Sequence, residues 1–490
     1  MAGAAFFAKI PPMSTIRIFQ VLALAAVFAG CGTYHAVHEA RSAQRALAAR
    51  GTGSDAGIPA ANADLKGMSL SQLVGFALDN RPSMMRARLA LEDARLALRQ
   101  AAADAPLLSS TPWGAFGASA SIGRSESSRA GYSLRGDTDG SASGALSLDV
   151  LLYDFGRNAA AARAYAEEVV AAETALVDAG YTVFEEVAAG YFALVRNETL
   201  LEVALTNEAE YAEHLEQAEM RMKHGEAKEV DVLKAKLDLA KSVQNVVAAS
   251  NDVAIAGAEL MTALGVDASS GGFREVLGQR RMELSHMQRS FASTSGGIAE
   301  LYGFARTNAP AVTVARTRLR AASHRVDAAV ADLYPSLSAS LALNWTDPLW
   351  YWRWGVNGAA SLFTGWRRTA AVERATVALD SAACDVDTAE LNLSRDIEIA
   401  VAERDNAVEA LAAARTSVRS ASENLDTVRE QYMLGDASRI DFADAVAGYA
   451  SSLGDRVRAF YRGQIAEAML FRLTGRWPEY TEETISEDEK

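Results

Sequence analysis

Cysteine is almost missing from this sequence: Cys31 and Cys384 are the only two in 490 residues. They stand in unlike surroundings, so a disulfide framework is excluded as the stabilising principle. Cys384 lies in alanine-rich helical sequence and reads as a buried, inert thiol. Long apolar runs are lacking as well. Outside the N-terminus no stretch of about 18 uncharged apolar residues exists, which leaves no transmembrane helix, so any membrane crossing must use strands. Basic excess is absent too, with a formal charge of -14, and nothing resembles the clustered Lys and Arg that a nucleic-acid partner requires. The histidines are scattered, none with zinc-ligand spacing to cysteine or in a helical His-Glu-x-x-His, and there is no nucleophile elbow or phosphate loop. The reading is therefore no enzyme, no metal and no cofactor. What remains is a folded composition, 50% hydrophobic and 22% charged, with length for two or three domains or for one large unit made by duplication.

The N-terminus carries an address. After Met13, the basic Arg17 precedes an apolar stretch from 18 to 28, then Ala29, Gly30 and Cys31. That is the order of an export signal, and Met13 is a more usual start for it than Met1. The small residues before the cysteine resemble the lipobox of bacterial lipoproteins, with Phe28 where an aliphatic residue is usual. This resemblance implies removal of residues 1–30 and acylation of Cys31; Gly32, in the place where Asp is avoided, implies delivery to the outer membrane. An ordinary cleaved signal with a chance cysteine is the plainer alternative and leaves export unchanged. Residues 31–66, with Gly51, Gly53, Gly57 and Pro59, read as a tether.

The strongest pattern is an internal duplication. A first repeat, 67–268, and a second, 298–477, each read helix, strand, strand, very long helix, turn, helix. Ser69 and Gln72 have the spacing of a capping box. Asn80 and Pro82 interrupt the opening helix, and Asn308 and Pro310 do the same in the second repeat. Residues 269–297 break the symmetry as a connecting, equatorial segment. The tail 478–490 is acidic.

Strands are expected at about 113–123 and 142–153, and again at about 336–345 and 351–363. Phe116, Ala118, Ala120 and Ile122 alternate with Gly and Ser, and Leu337, Ala339, Leu341 and Leu343 alternate with Ser338, Ser340, Ala342 and Asn344. A period of two with unlike faces, held for about ten residues, suits a tilted membrane-crossing strand. Trp113, Trp345, Trp350, Trp352 and Trp354 fall in or beside these segments, as an interfacial aromatic girdle requires, and Trp366 follows them. The stretch from 124 to 141, rich in Gly, Ser and charge, reads as an outer-surface loop.

After each strand pair no breaker appears from about 157 to 224 and from about 366 to 433, so each helix runs to about 100 Å. Gly225 and Gly435 end them as left-handed caps. A returning helix of about forty residues then leads to Gly265 and Gly475, and it is long enough to stack end to end with the opening helix and match the long one.

This plan resembles the TolC-like outer-membrane efflux protein family over roughly residues 67–477. Its junctions, Leu152-Tyr153-Asp154-Phe155-Gly156-Arg157 and Leu362-Phe363-Thr364-Gly365-Trp366-Arg367, carry the likeness, as do the turns 225–233 and 435–444. The resemblance implies a mainly α chain with a membrane β-barrel, closed as a homotrimer of twelve strands and continued by an α-helical periplasmic tunnel. It also implies a passive exit duct of an efflux or type I secretion system, working with a periplasmic adaptor and an inner-membrane RND or ABC transporter. By the same resemblance Gly225 and Gly435 mark the tip where the adaptor docks. Asp441 and Asp444, with Asp231 as first-repeat counterpart of Asp441, line the aperture. Relatives often place a basic residue where Ala437 stands, and Arg439 is the candidate latch in its stead. Oligomerisation also follows independently, because four lipid-facing strands in one chain leave open edges that a bilayer does not tolerate.

Two other readings are available. Asp154-Phe155-Gly156 spells a kinase metal-binding tripeptide, but without its accompanying motifs it reads as a chain reversal between strand and helix. A coiled-coil scaffold without transport activity fits the helices equally well; it does not account for an apolar strip formed by Trp352, Trp354, Val356 and Leu362.

Overall fold

The computed structural model describes residues 40–42, 44, 68–103, 116–127, 139–225, 228–267, 298–346, 349–360, 365–434 and 436–475, with backbone alone at 116–127, 139–143, 298 and 345–346. Two compact units, 1–60 and 61–490, make up the chain, and every element named here belongs to the second. Cys31, Trp113, Gly435, the segment 269–297 and the acidic tail lie outside the described residues.

In the first repeat α1 (Leu70–Asn80) and α2 (Pro82–Ala103) precede β1 (Phe116–Ser127), β2 (Asp139–Tyr153), α3 (Arg157–Lys223) and α4 (Glu229–Leu264). The second repeat has α5 (Ile298–Asn308), α6 (Pro310–Ala331), β3 (Ser336–Thr346), β4 (Leu349–Ala359), α7 (Arg367–Leu434) and α8 (Arg439–Thr474). The breaks fall where the sequence puts them. Ser69 and Gln72 form the reciprocal cap at the start of α1. Asn80 and Asn308 each turn Nδ2 back to a carbonyl one turn earlier, Phe76 and Phe304, both at 2.9 Å. At 1.5 Å per residue the 67 residues of α3 span about 100 Å.

α3 lies against α2, α4, α6 and α8, while α7 lies against α6 and α8. Thus α2 and α4 share one long flank of α3, and α6 and α8 occupy its other flank before meeting α7. The joints are tight. A Cβ on Gly265, the left-handed cap of α4, would meet Arg81 Cα at 3.1 Å; one on Gly475, which caps α8, would meet the Asn308 carbonyl oxygen at 2.9 Å. The expected end-to-end stack therefore exists, with one correction. Only the later piece of each opening helix continues it. α1 instead packs sideways: Leu73, Val74 and Ala77 share a core with Val183, Phe184 and Val187 of α3 and with Leu260 and Met261 of α4. α5 repeats the arrangement through Leu301 and Ala305, set against Leu393, Ile397 and Ala400 of α7 and Leu470 of α8. An apolar face on each short helix makes lateral burial more favourable than extension into solvent.

The middle of α3 holds both joints. Tyr181 donates its hydroxyl to the Gly475 carbonyl at 2.7 Å, Glu185 pairs with Arg472 at 2.7 Å, and Glu186 pairs with Arg81. On α7, Glu390 receives both Arg316 of α6 (2.8 Å) and Arg306 of α5 (3.0 Å), and these hydrogen bonds, Arg316 first, hold its carboxyl below the usual range.

The four strands form one antiparallel sheet in the order β1-β2-β3-β4, with a bulge between Leu151 and Tyr153. β1 runs to Ser127 and β2 begins at Asp139 because Arg124 to Ser127 pair backbone to backbone with Asp139 to Ala142. Residues 124–127 and 139–141, read as part of an outer-surface loop from their polar composition, thus belong to the strands: ladder hydrogen bonds do not need apolar side chains. β4 likewise occupies Leu349–Ala359, beginning earlier and ending sooner than 351–363. Its start is set by pairing of Leu349 and Trp350 with Thr346 and Trp345. Cys384, expected to be buried, is exposed, because much of α7 faces away from its intrachain neighbours.

Replacing Gly475 by Ala is expected to destabilise the fold by more than the roughly 1–2 kcal/mol of a left-handed L-residue, since the Asn308 carbonyl stands in the way. Gly225→Ala, with φ +79° and open space around the added Cβ, should cost only the conformational part. Thermal unfolding followed at 222 nm compares the two; equal losses would refute the close-approach argument.

Candidate functional site

The sheet sorts its residues by face. Leu148 pairs with Leu341 and Leu341 with Trp354; Val150 pairs with Ala339 and Ala339 with Val356; Leu146 pairs with Leu343 and Leu343 with Trp352. Directly opposed residues share a face, so one side of β2-β3-β4 is a continuous apolar surface. Trp354 is 79% exposed on it and Trp352 62%. The other side carries Ser147, Asp149, Ser338, Ser340, Asn344 and Asn357, with Asn357 Nδ2 donating to Ser340 Oγ at 3.0 Å. In β1, Ala118 stands opposite Leu148 and Ala120 opposite Leu146, which carries the pattern to the last strand. Eleven residues of β3 extend about 35 Å, or about 25 Å across a bilayer when tilted by 45°. The outer edges of β1 and β4 have no strand partner among the described residues.

Trp345 of β3 and Trp350 of β4 stand opposite each other in the ladder, at one end of this surface. The other end carries an aromatic group that the sequence reading passed over. Phe155 stacks on Tyr334 at 5.3 Å and meets Tyr153 edge-on at 4.9 Å, all three well exposed. Trp366 is exposed there as well. An aromatic at each end of a run of alternating strands was the available signal.

The junction itself is built by Asp154. Its buried carboxylate accepts the backbone N–H of Gly156 (3.1 Å) and of Asn158 (2.8 Å), capping α3. Phe155 (φ 54°) and Gly156 (φ 85°) reverse the chain in two left-handed steps, and Gly365 (φ 62°) and Trp366 (φ 65°) repeat this before α7. A non-glycine residue in that region is uncommon, and here each is held by a rigid strand on one side and a helix on the other. Asp332 ties the junctions together by receiving Arg157 at 3.1 Å and Arg368 at 3.4 Å.

At the opposite end of the long helices lie the proposed aperture residues. Gly225 is left-handed (φ 79°) and ends the first long helix. Asp441 is exposed and sits at the third position of α8, where Oδ2 accepts the Ser438 N–H at 3.0 Å; hydrogen bonds from Ser438 hold its carboxyl below the usual range. Asp231 stands at the equivalent place in α4 and accepts the Lys228 N–H at 3.3 Å. Both carboxylates thus have a local capping task, with lone pairs remaining for other partners. Asp444 is exposed on α8; burial first, then the charges of Asp238 and Asp444, push the Tyr211 hydroxyl up.

Arg439 does not point to a neighbour on its own helix. Its Nη1 reaches Asp238 Oδ2 of α4 at 2.7 Å, with both side chains largely buried. Asp238 was missed in the sequence, although it stands two helical turns beyond Asp231 and so on the same face. Further links join the two hairpins: Arg221 donates to the Tyr432 carbonyl at 2.7 Å and covers that ring at 4.5 Å, Arg429 pairs with Glu210, and Tyr211 donates to the Ala443 carbonyl at 3.3 Å. No group of side chains suited to holding a metal ion occurs among the described residues.

The model of the outer membrane efflux protein family matches residues 73–266 and 301–476, one block for each repeat. No curated protein matches the sequence. Several solved structures share the fold. CusC, whose crystal structures concern folding and transmembrane channel formation, superposes with a TM-score of 0.73 at 19% identity, covering 83% of this chain and 92% of its own. The Campylobacter jejuni outer membrane channel CmeC gives 0.72 at 17% identity, covering 86% and 89%. The Vibrio cholerae outer membrane protein VceC gives 0.69 at 20% identity, covering 83% and 96%.

The Arg439–Asp238 pair is expected to couple the hairpins by roughly 1–2 kcal/mol, above the 0.2–1 kcal/mol usual for exposed pairs. A double-mutant cycle on Arg439→Ala and Asp238→Ala, read by denaturation, measures it; additive single effects would remove the pair as a structural link.

Proposed function

The chain belongs to the outer membrane efflux protein family, and from that membership we propose that three copies join edge to edge into a twelve-stranded barrel continued by an α-helical tunnel. The protein is an outer-membrane exit duct. One observation carries this reading: a four-stranded sheet with one continuous apolar face, exposed tryptophans and two edges without a strand partner among the described residues is attached to helices about 100 Å long. In hydrocarbon an unpaired strand edge leaves several backbone groups unsatisfied, and only closure removes it. Apolar residues left bare on the helical edges, Leu233, Leu237 and Val247 of α4 and Val377 and Leu391 of α7, supply lateral surfaces for the same closure. A soluble coiled-coil scaffold has no use for Trp352 and Trp354 facing outward.

The duct is passive in this proposal, with no catalytic or cofactor residues. Export follows from residues 1–30, acylation of Cys31 adds an anchor in the outer membrane, and residues 31–66 tether that anchor to the repeats. The end marked by Gly225 and Gly435 meets a periplasmic adaptor, and an inner-membrane transporter of the RND or ABC type supplies energy and selects the cargo. Asp441, Asp444 and Asp231 surround the narrow end. In a trimer, Asp441 and Asp444 provide six carboxylates, which raise local cation affinity and repel one another unless compensated. Arg439, held on Asp238, is the latch that keeps the hairpins together.

Asp441→Asn with Asp444→Asn should alter single-channel conductance in planar bilayers and weaken block by multivalent cations; values identical to wild type take both residues out of the pore. The mature protein should require detergent and run as a trimer. A monomer that stays soluble without lipid or surfactant ends the duct proposal.

A further inference from the structure

A histidine is buried inside the contact between the two tip hairpins. His214 of α3 is 2% exposed. Its ring stacks on Phe442 of α8 at 5.0 Å and leans on Tyr432 of α7 at 5.2 Å, and those two rings stack on each other at 5.2 Å. Three rings from three helices form one cluster. His214 Nε2 is shut off from solvent and has no hydrogen-bond partner.

The charged groups around this ring come from every element packed on it. α3 contributes Glu210, Glu213 and Arg221, α7 contributes Arg429, α8 contributes Arg439, and α4 contributes Asp238. Most already have partners. Glu210 holds Arg429, Glu213 accepts from Gln217, Asp238 holds Arg439, and Arg221 is committed to the Tyr432 carbonyl and ring. A neutral imidazole leaves only a bare acceptor in such a place. An imidazolium leaves a buried cationic N–H without a carboxylate to receive it, among three arginines, and that is far less tolerable.

We propose that His214 makes the tip contact acid-sensitive: protonation in mild acid loosens α3 from the α7–α8 hairpin and shifts the duct towards a separated, open tip. This rests on the duct reading and adds the group that regulates it. Burial, then Arg439 and Arg221, push the imidazole below its ordinary value, with Asp238 opposing. The packed contact therefore holds fewer protons than the separated one, where the ring returns to about 6.5. Its strength is complete above pH 6.5 and falls as the pH drops from there towards the depressed value. Carboxylic acids ordinarily titrate near pH 4, which leaves the interval between 6.5 and 5 to the imidazole. Three buried carboxyls are exceptions: burial raises those of Asp178 and Glu467 and pushes that of Glu198, the nearest of the three to His214 in sequence, up to about 7. Glu198 lies on α3 about 24 Å from His214 along the helix axis.

Single-channel recording on the mature trimer at pH 7.5 and 5.5 tests the proposal. Wild type should open more on acidification, by up to about tenfold per pH unit below 6.5 for each protomer whose contact must separate. His214→Phe, which keeps a stacked ring and carries no proton, should be insensitive, and Glu198→Gln should respond as wild type does. An acid response of His214→Phe equal to that of wild type, or a wild-type channel indifferent to pH, overturns the idea. Hydrogen exchange of residues 436–445, corrected for intrinsic pH dependence, gives a second reading on wild type and does not need the variant to assemble: protection should fall at pH 5.5 there and persist at 183–194. A wild type that forms no channel at any pH counts against the duct itself, while the exchange measurement still judges His214.

Discussion

The fold depends on lateral packing against a single helix. Helices as long as α3 gain little from intrinsic propensity relative to what their faces bury, and α3 meets neighbours along both flanks, α2 and α4 on one and α6 and α8 on the other. Its middle turns hold both places where those flanks are broken. Tyr181 and Glu185 reach the end of α8, and Glu186 reaches Arg81 between α1 and α2. Without α3 the pair α2 and α4 has no long helix to lie along, and α6 and α8 keep only α7. With it, two repeats that share only a plan become one wall.

The sheet extends the same union upward. β2 of the first repeat pairs with β3 of the second, so the two hairpins share one ladder and one apolar face. Satisfying backbone groups makes the sheet, and leaving two edges unsatisfied makes further association necessary. The junctions beneath it are stiff: Asp154 caps α3, two left-handed residues turn the chain in each repeat, and Asp332 receives an arginine from the start of each long helix. The far end is different in kind. There the two hairpins meet through ion pairs, hydrogen bonds from Arg221 and Tyr211 to backbone carbonyls, and a three-ring cluster around His214.

Much of this was legible because it is local or periodic. The Ser69 cap, the Asn80 and Asn308 breaks, the left-handed Gly225, the helix ends at Gly265 and Gly475, and the alternating faces of β2, β3 and β4 all follow from backbone stereochemistry and from side-chain periods that neighbouring residues determine. Strand ends were less legible. Arg124 to Ser127 join the ladder through their backbones, and alternation cannot register that. Exposure of Cys384 was misread because alanine-rich helical sequence is the same whether a helix lies inside a wall or at its edge.

The sequence by itself determined the duplication, the lengths of the helices, the lack outside the N-terminus of any apolar run long enough for a membrane-crossing helix, and the polarity of each strand face, since each depends on residues close together in the chain. Tertiary structure alone decided the sideways packing of α1 and α5, the aromatic group of Tyr153, Phe155 and Tyr334, the pairing of Arg439 with Asp238, and the burial of His214 among rings from two other helices. These join residues far apart along the chain, and which face of one helix meets which face of another is fixed by how the whole set of helices closes around α3, a condition that no local pattern contains.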